Sequence, residues 1–138
     1  MSEVKTNKLT GTSTAGSIAV TGEGNSTTTN LQQGLAKAFT NIDGSSGTPT
    51  AQDSFNNGSI TDNGAGDYSL SFTSAFGNAN YTSMGMGGNT NNTLRVPCQN
   101  KSSHTPTTSA CRYQAIYSNG SAPVDVKYFG IGNFGDLA

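Results

Sequence analysis

The sequence predicts an all-β fold: an antiparallel β-sandwich or jelly-roll-like domain preceded by an extended N-terminal arm. Three observations predict it. First, 17 Ser, 19 Thr, 15 Asn and 18 Gly make up half of the 138 residues; Thr suits pleated half-buried surfaces, while Gly, Asn and Ser suit the turns between them. Second, short alternations of apolar and polar residues recur, which is the period of a strand with one buried face. Third, helix formers gather only around Leu31 to Ala38, enough for one short helical turn.

Residues 1–35 read as the arm and 36–138 as the β-sandwich. In the first thirty residues Val4, Leu9, Ile18 and Val20 are almost the only large apolar side chains, so this stretch lacks material for a core of its own. Fully extended it reaches on the order of 100 Å at about 3.3 Å per residue, and it is expected to order against another chain. Val4, Lys5, Asn7, Leu9, Ile18 and Val20 are its candidate anchoring residues.

Ala36 to Ile42 opens the domain as a strand, and Gly44 to Gly47 (GSSG) reads as a turn. Ser54 to Ile60 contains Asn57-Gly58, a pair favoured in two-residue hairpins, and Asp62 to Asp67 supplies another tight turn. Tyr68, Leu70 and Phe72 then alternate with Ser69, Ser71 and Thr73, the clearest strand in the chain. Met84 to Asn92 (MGMGGNTNN) is too polar and too glycine-rich for a central strand and reads as an exposed loop. Leu94 to Val96 reads as a short strand ending at Pro97, and Gln99 to Ala110 as a long polar excursion. Cys111, Tyr113, Ala115 and Tyr117 form one face of the next strand. Val124, Val126 and Tyr128 alternate again, and Phe129, Ile131 and Phe134 close the core. Six to eight short strands with turn signals this frequent give a sandwich.

Charge and motifs narrow the function. Charged residues are 11% and the formal net charge is −1, so no basic footprint for nucleic acid is present. No apolar stretch is long enough to span a bilayer, so no membrane insertion is expected. Met1 to Leu9 lacks the apolar run of a signal peptide, and the sequons at Asn25, Asn57, Asn80, Asn91, Asn100 and Asn119 read as products of the Asn/Ser/Thr bias. His104 is the only histidine; it lies in a Ser/Thr-rich loop with no orienting carboxylate beside it, which speaks against a nucleophilic triad. Cys98, His104 and Cys111 give three ligands at spacings that match no common zinc pattern. The Asp62 to Asp67 turn lacks the bidentate acid that ends a calcium loop, and Gly85 to Gly88 lacks the Lys and Ser/Thr of a phosphate loop. No catalytic residue, cofactor or metal is therefore expected. Cys98 and Cys111 bracket the polar excursion. They read either as a disulfide, worth about 3 kcal/mol for a loop of about 14 residues in the chain-entropy model, or as two reduced thiols.

Ala36-Lys37-Ala38-Phe39 with Asn41, Asp53 to Asn56 (DSFN), Ser59 to Tyr68 (SITDNGAGDY) and Asn78 to Tyr81 (NANY) together resemble a module recurring in structural proteins of marine tailed bacteriophages. The segment from Ser59 to Tyr68 is the most specific part. Met1 to Leu9 (MSEVKTNKL) and Phe134-Gly135-Asp136 also resemble the start and end typical of that family. Phe39 stands where the family usually has Trp, and the two cysteines are outside its pattern. The resemblance implies a non-enzymatic virion protein, assembled in the host bacterial cytoplasm. Its length suits a short fibre or fibre-like appendage that docks on other virion proteins through the arm. A homo-oligomer is expected, most simply a trimer. Met84, Met86, Asn89, Asn91, Asn92, Lys101 and His104 would form exposed loops for host contact. Two other readings remain: a capsid decoration or cement protein, and a carbohydrate-binding module in which Tyr81, Tyr113 or Tyr117 stacks on a host surface glycan. The alternation around Cys111 and Ala115 places Tyr113 and Tyr117 on a core face, against the last of these.

Overall fold

The computed structural model describes residues 3–11, 18–21, 28–31, 34–89, 94–99, 104–120 and 122–138. Among these residues every regular element is a strand. Of the short helical turn predicted around Leu31 to Ala38, the described residues show a hydrogen bond from the Gly34 N–H to the Asn30 carbonyl at 3.3 Å, and Ala38 already begins a strand.

The chain divides into two units between Leu35 and Ala36. In the first, β1 (Ala19–Thr21) and β2 (Thr28–Asn30) pair antiparallel, with Val20 opposite Thr29, and the Leu31 N–H donates to the Ile18 carbonyl at 2.8 Å. This part of the predicted extended arm is thus folded back on itself. Its Thr-rich strands suit pairing, and pairing satisfies backbone groups that an extended arm leaves to a partner. Val4, Lys5, Asn7, Leu9 and Val20 are exposed, and Ile18 is half-buried.

The second unit holds β3 (Ala38–Asp43), β4 (Thr50–Phe55), β5 (Asn57–Asp62), β6 (Asp67–Phe72), β7 (Thr82–Gly88), β8 (Leu94–Gln99), β9 (Ala110–Tyr117) and β10 (Tyr128–Phe134). They form one antiparallel sheet in the order β4-β3-β10-β7-β8-β9-β6-β5. Only Gly87–Arg95 and Gly88–Leu94 join β7 to β8. There the sheet turns over, and the layer β4-β3-β10-β7 faces the layer β8-β9-β6-β5 across the core, giving a β-sandwich.

Alternation decides what enters that core. Ala38 and Ile42 of β3 and Phe129 and Ile131 of β10 meet Tyr68, Leu70 and Phe72 of β6 and Cys111, Tyr113 and Ala115 of β9. Each large side chain so buried contributes about 1.5–3 kcal/mol. The rings of Tyr68 and Phe129 stand 5.8 Å apart across the layers, and Phe72, Phe76 and Tyr81 close one end as a cluster of edge and tilted contacts. Polar tips inside this core have partners, as burial requires. The Tyr113 hydroxyl donates to Asn133 Oδ1, Ser83 Oγ donates to the same oxygen at 2.7 Å, and the Tyr68 hydroxyl donates to Asp125 Oδ1 at 2.9 Å.

Two connections differ from the sequence reading. Asn57-Gly58 is no hairpin turn; both residues belong to β5, and β4 and β5 lie at opposite edges of the sheet. The chain swings between the edges at Asn56, whose φ is +56°. Its side-chain amide donates to the Lys37 and Ser74 carbonyls, each at 3.0 Å, and its Oδ1 accepts the Ser74 N–H at 2.6 Å. An Asn that tolerates the left-handed region and ties three backbone groups outweighs the local hairpin preference. The second difference is β8, which runs on through Pro97 to Gln99. Pro97 lies opposite Ala115, whose own N–H and C=O bond Gly66 and Val124 on its far side. The position without an N–H therefore points away from β9, toward the side where β7 has already left the ladder, as a strand proline requires.

Candidate functional site

The two layers present outer faces of opposite character. Over β5, β6 and β9 the outward residues are polar and bonded to one another. Ser59 and Ser71 share a hydroxyl contact of 2.8 Å, and the Asn63 amide donates to Ser69 Oγ at 2.8 Å. Arg112 donates Nε to Asp67 Oδ1 at 2.6 Å and Nη2 to Oδ2 at 2.8 Å, and Gln114 Nε2 reaches Oδ2 at 3.2 Å. This bidentate hydrogen bonding raises the Arg112 pKa. Asp67 and Gln114, with Asn63, Gly64, Ala65 and Pro123, line a shallow recess, but its carboxylate is already engaged by these two donors.

The outer face of β4-β3-β10-β7 is apolar. In one row across the four strands stand Phe55, Phe39, Gly132 and Met84; in the next stand Asp53, Asn41, Gly130 and Met86. Met86 is 80% exposed, Met84 65%, Phe55 52%, Tyr128 47% and Phe39 37%. The rings of Phe39 and Phe55 stack at 6.2 Å with planes 29° apart. Between the phenylalanines and the methionines lies β10, which carries glycine at both central outward positions. A Cβ at Gly130 would meet nothing within 4 Å, and one at Gly132 would meet Phe134 Cε2 only at 3.6 Å. The result is a shallow trough with a glycine floor, one aromatic wall and one thioether wall. One end has a polar rim. Asn41 donates to Gln52 Oε1 at 3.0 Å, and Asp43 accepts the Ser45 hydroxyl at 2.6 Å and its N–H at 2.9 Å, bonds that hold its carboxyl below the ordinary range.

The methionines reach this face because β7 is a strand, which corrects the loop predicted from Met84 onward. Its inward positions are Ser83, Gly85 and Gly87. A Cβ at Gly85 would lie 2.6 Å from Ile131 Cδ1 and 2.9 Å from the Gly130 carbonyl; one at Gly87 would lie 3.2 Å from Arg95 Cβ. The glycines that make the run read as a loop are what the close approach of β8 and β10 demands there. Asn89 follows the strand's end and His104 is half-buried in the polar excursion, whereas Asn91, Asn92 and Lys101 lie outside the described residues.

Other sequence candidates fall elsewhere. Cys98 lies opposite Gln114 in the β8–β9 ladder, three residues along the strand from Cys111, or about 10 Å at the strand rise. That separation is beyond a disulfide's span, and Cys111 is a buried free thiol, so of the two readings of this pair the disulfide does not form. Burial pushes the Cys111 thiol up to about 11. Tyr81 and Tyr113 are core residues and offer no bare face to a sugar, whereas Tyr117, expected on the core face, is exposed at the end of β9 with the Arg95 guanidinium 4.2 Å from its ring centre. Among the described residues no three His, Cys, Asp or Glu side chains gather as a metal site would require. Phe39, Phe55, Tyr128, Gly130 and Gly132 are the site residues that sequence reasoning missed. The signal for the three on β10 is in Tyr128 to Phe134 (YFGIGNF), where glycines alternate with Phe129, Ile131 and Asn133.

Fold and face together define an antiparallel β-sandwich that seals one outer surface with its own hydrogen bonds and leaves the other apolar and open. Comparison with protein-family models, with curated proteins and with solved structures finds no match to the chain.

Proposed function

We propose that this chain is a non-enzymatic structural protein of a bacteriophage virion: a short, fibre-like appendage assembled in the host cytoplasm, whose β-sandwich associates with copies of itself. The first unit docks on other virion proteins through Val4, Lys5, Asn7, Leu9, Ile18 and Val20. The open Phe/Met face carries this reading. Five large apolar side chains on four adjoining strands stay in water at a cost of roughly 25 cal/mol per Å², which contact with another chain relieves. The other chemistry of the domain supports a structural role, since Tyr68 with Asp125, Tyr113 with Asn133 and Arg112 with Asp67 hold strands and turns to one another. The Ser59 to Tyr68 resemblance supplies the virion context. The polar segments around Asn89 and His104 are the candidate host-contact surfaces, with Asn91, Asn92 and Lys101 beside them in sequence.

Mass spectrometry of purified particles tests the proposal. The full chain is expected in the particles, and a variant lacking residues 2–30 is expected to fold yet be lost from them. Particles free of the full chain, or particles that retain the truncated one, refute it. Copy number then separates a fibre from the alternative of a capsid-wide cement protein, which would be present in far more copies.

A further inference from the structure

Three asparagines of the chain are followed by glycine: Asn57, Asn63 and Asn119. With no Cβ on the following residue, its backbone nitrogen can reach the asparagine carboxamide carbon and close a succinimide ring. Closure asks two things of the fold: rotation of the backbone at the Asn–Gly junction, and a carboxamide able to swing onto the nitrogen. At two of the three sites the structure withholds them. Asn57 and Gly58 lie within β5, paired to β6, and a strand fixes the rotation that the ring needs. The Asn57 carboxamide is held too, since in its hydrogen-bonded orientation its nitrogen donates to the Ser71 and Ser59 carbonyls, each at 3.1 Å. Asn63 stands in the β5–β6 turn, where its N–H donates to the Asp67 carbonyl at 2.8 Å and its amide to Ser69 Oγ at 2.8 Å. The attacking group there, the Gly64 N–H, donates to Asp62 Oδ1 at 2.9 Å. That nitrogen must lose its proton to react, and a neighbouring carboxylate disfavours the anion. Asn119 is placed differently. It is exposed in the turn after β9. The Tyr117 N–H donates to the Ala122 carbonyl at 3.1 Å and the Gly120 N–H to the Tyr117 carbonyl at 2.8 Å, so Asn119 lies at the tip of a short loop closed at its base. Such tips open at almost no cost in free energy, whereas the groups around Asn57 and Asn63 come free only when β5 parts from β6.

We infer that Asn119 is a site of spontaneous modification: in the folded protein it deamidates without an enzyme, while Asn57 and Asn63 stay intact. The Gly120 nitrogen gives up its proton to solvent base and bonds to Asn119 Cγ. The bond from Cγ to Nδ2 breaks, and with a proton from water the amide leaves as ammonia. A second water then opens the succinimide. Hydrolysis of the newly formed bond gives aspartate; hydrolysis of the original peptide bond gives isoaspartate, in which the main chain runs through Cγ and is one carbon longer. Water is the co-reactant, ammonia is the product, and nothing is oxidised or reduced. Each event adds one negative charge to a chain whose formal net charge is −1. It falls two residues beyond Tyr117, whose ring carries the Arg95 guanidinium. The modified fraction grows with the age of the molecule, so copies of one protein come to differ in charge and backbone at this loop. The reaction needs no partner chain and does not depend on the virion role.

Peptide mapping by mass spectrometry tests the inference on the full chain, sampled during weeks of incubation near neutral pH. The expected result is a gain of about one mass unit at Asn119, in two chromatographic forms, at about ten times or more the rate at Asn57 or Asn63. In concentrated urea the three sites react at similar rates, because the bonds that distinguish them are gone. Asn119→Gln removes the gain from that peptide, since glutamine would have to close a six-membered ring. Folded protein in which Asn119 stays intact while the urea sample reacts overturns the inference. So does folded protein in which Asn57 or Asn63 keeps pace with Asn119, or a gain in that peptide that survives Asn119→Gln.

Discussion

Replacing Gly66 by Ala probes how the β5–β6 turn is fastened to the other end of β9. Gly66 has φ +62°, a conformation that costs a residue with a Cβ about 1–2 kcal/mol. The added methyl would stand 2.4 Å from the Val124 carbonyl oxygen, 2.6 Å from its nitrogen and 2.7 Å from the Ala115 oxygen. All three are backbone atoms, so relief requires moving a strand. That movement strains the bonds from the Ala115 N–H to the Gly66 carbonyl and from the Gly66 N–H to Asp125 Oδ1, both 2.7 Å. Overpacking of this kind adds about 1–3 kcal/mol, for an expected loss of about 2–5 kcal/mol. Gly64→Ala is the internal control. Its φ is +121°, but nothing stands within 4 Å, so it carries only the conformational cost, about 1–3 kcal/mol. Urea unfolding followed by far-ultraviolet circular dichroism measures both. Equal losses at the two positions would refute the crowding argument, and with it the fastening of this turn by Val124 and Asp125.

Four further outcomes are expected. Reduction leaves the intact mass unchanged, and Cys111 reacts with a thiol reagent only when denaturant opens the core; a shift of about two mass units on reduction would restore the Cys98–Cys111 bridge. Stability declines at alkaline pH: burial holds the Cys111 thiol at about 11 against an ordinary 9.0, and holds the Tyr68, Tyr81 and Tyr113 phenols well above 10.0. The folded state thus keeps protons that the unfolded state releases, so the contribution is whole below about pH 9 and is lost as pH climbs through 11 and beyond; denaturant midpoints constant from pH 8 to 11 would contradict this. Tyr113→Phe costs about 1 kcal/mol, because Ser83 still donates to Asn133, whereas Asn133→Ala costs about 3 kcal/mol through the cavity and the loss of the acceptor that both hydroxyls share; the order of the two in thermal melts is the check. Arg112→Ala lowers stability more than Gln114→Ala, since it strips two of these hydrogen bonds from the buried Asp67 carboxylate rather than one, and the reverse order would show that Gln114 holds that acid.

The parts of the fold legible in the sequence are those where the inward face is also the apolar face. Tyr68, Leu70 and Phe72 give themselves away by alternation, as do Cys111, Tyr113 and Ala115, and the Asp62 to Asp67 turn follows from its glycines. β7 inverts that rule. Its inward residues are Ser and Gly because β10 and β8 crowd them, and its large apolar residues point to solvent, so a hydrophobicity pattern reads it as a loop. β10 hides in a different way. In the sequence Val124, Val126 and Tyr128 alternate as if on one face, but Val126 is buried before the strand begins and Phe129 takes the inward place, leaving Tyr128 outside. The candidate face was illegible for a related reason. It is assembled from four strands that are neighbours only in space, and no window of sequence contains Phe39, Phe55, Met84 and Gly130 together.

The placement of β10 between β3 and β7 also imposes a schedule on the molecule. β3 is made first of the three, while the strand that joins it to β7 follows about ninety residues later. Until it arrives, the front layer is two separate pieces with raw edges, a topology of long-range contacts that folds slowly. The glycine floor comes with that same strand, so the face through which copies would meet does not exist on a nascent chain. The proposed association would thereby be confined to finished molecules, with the apolar face absent while the chain is still being made.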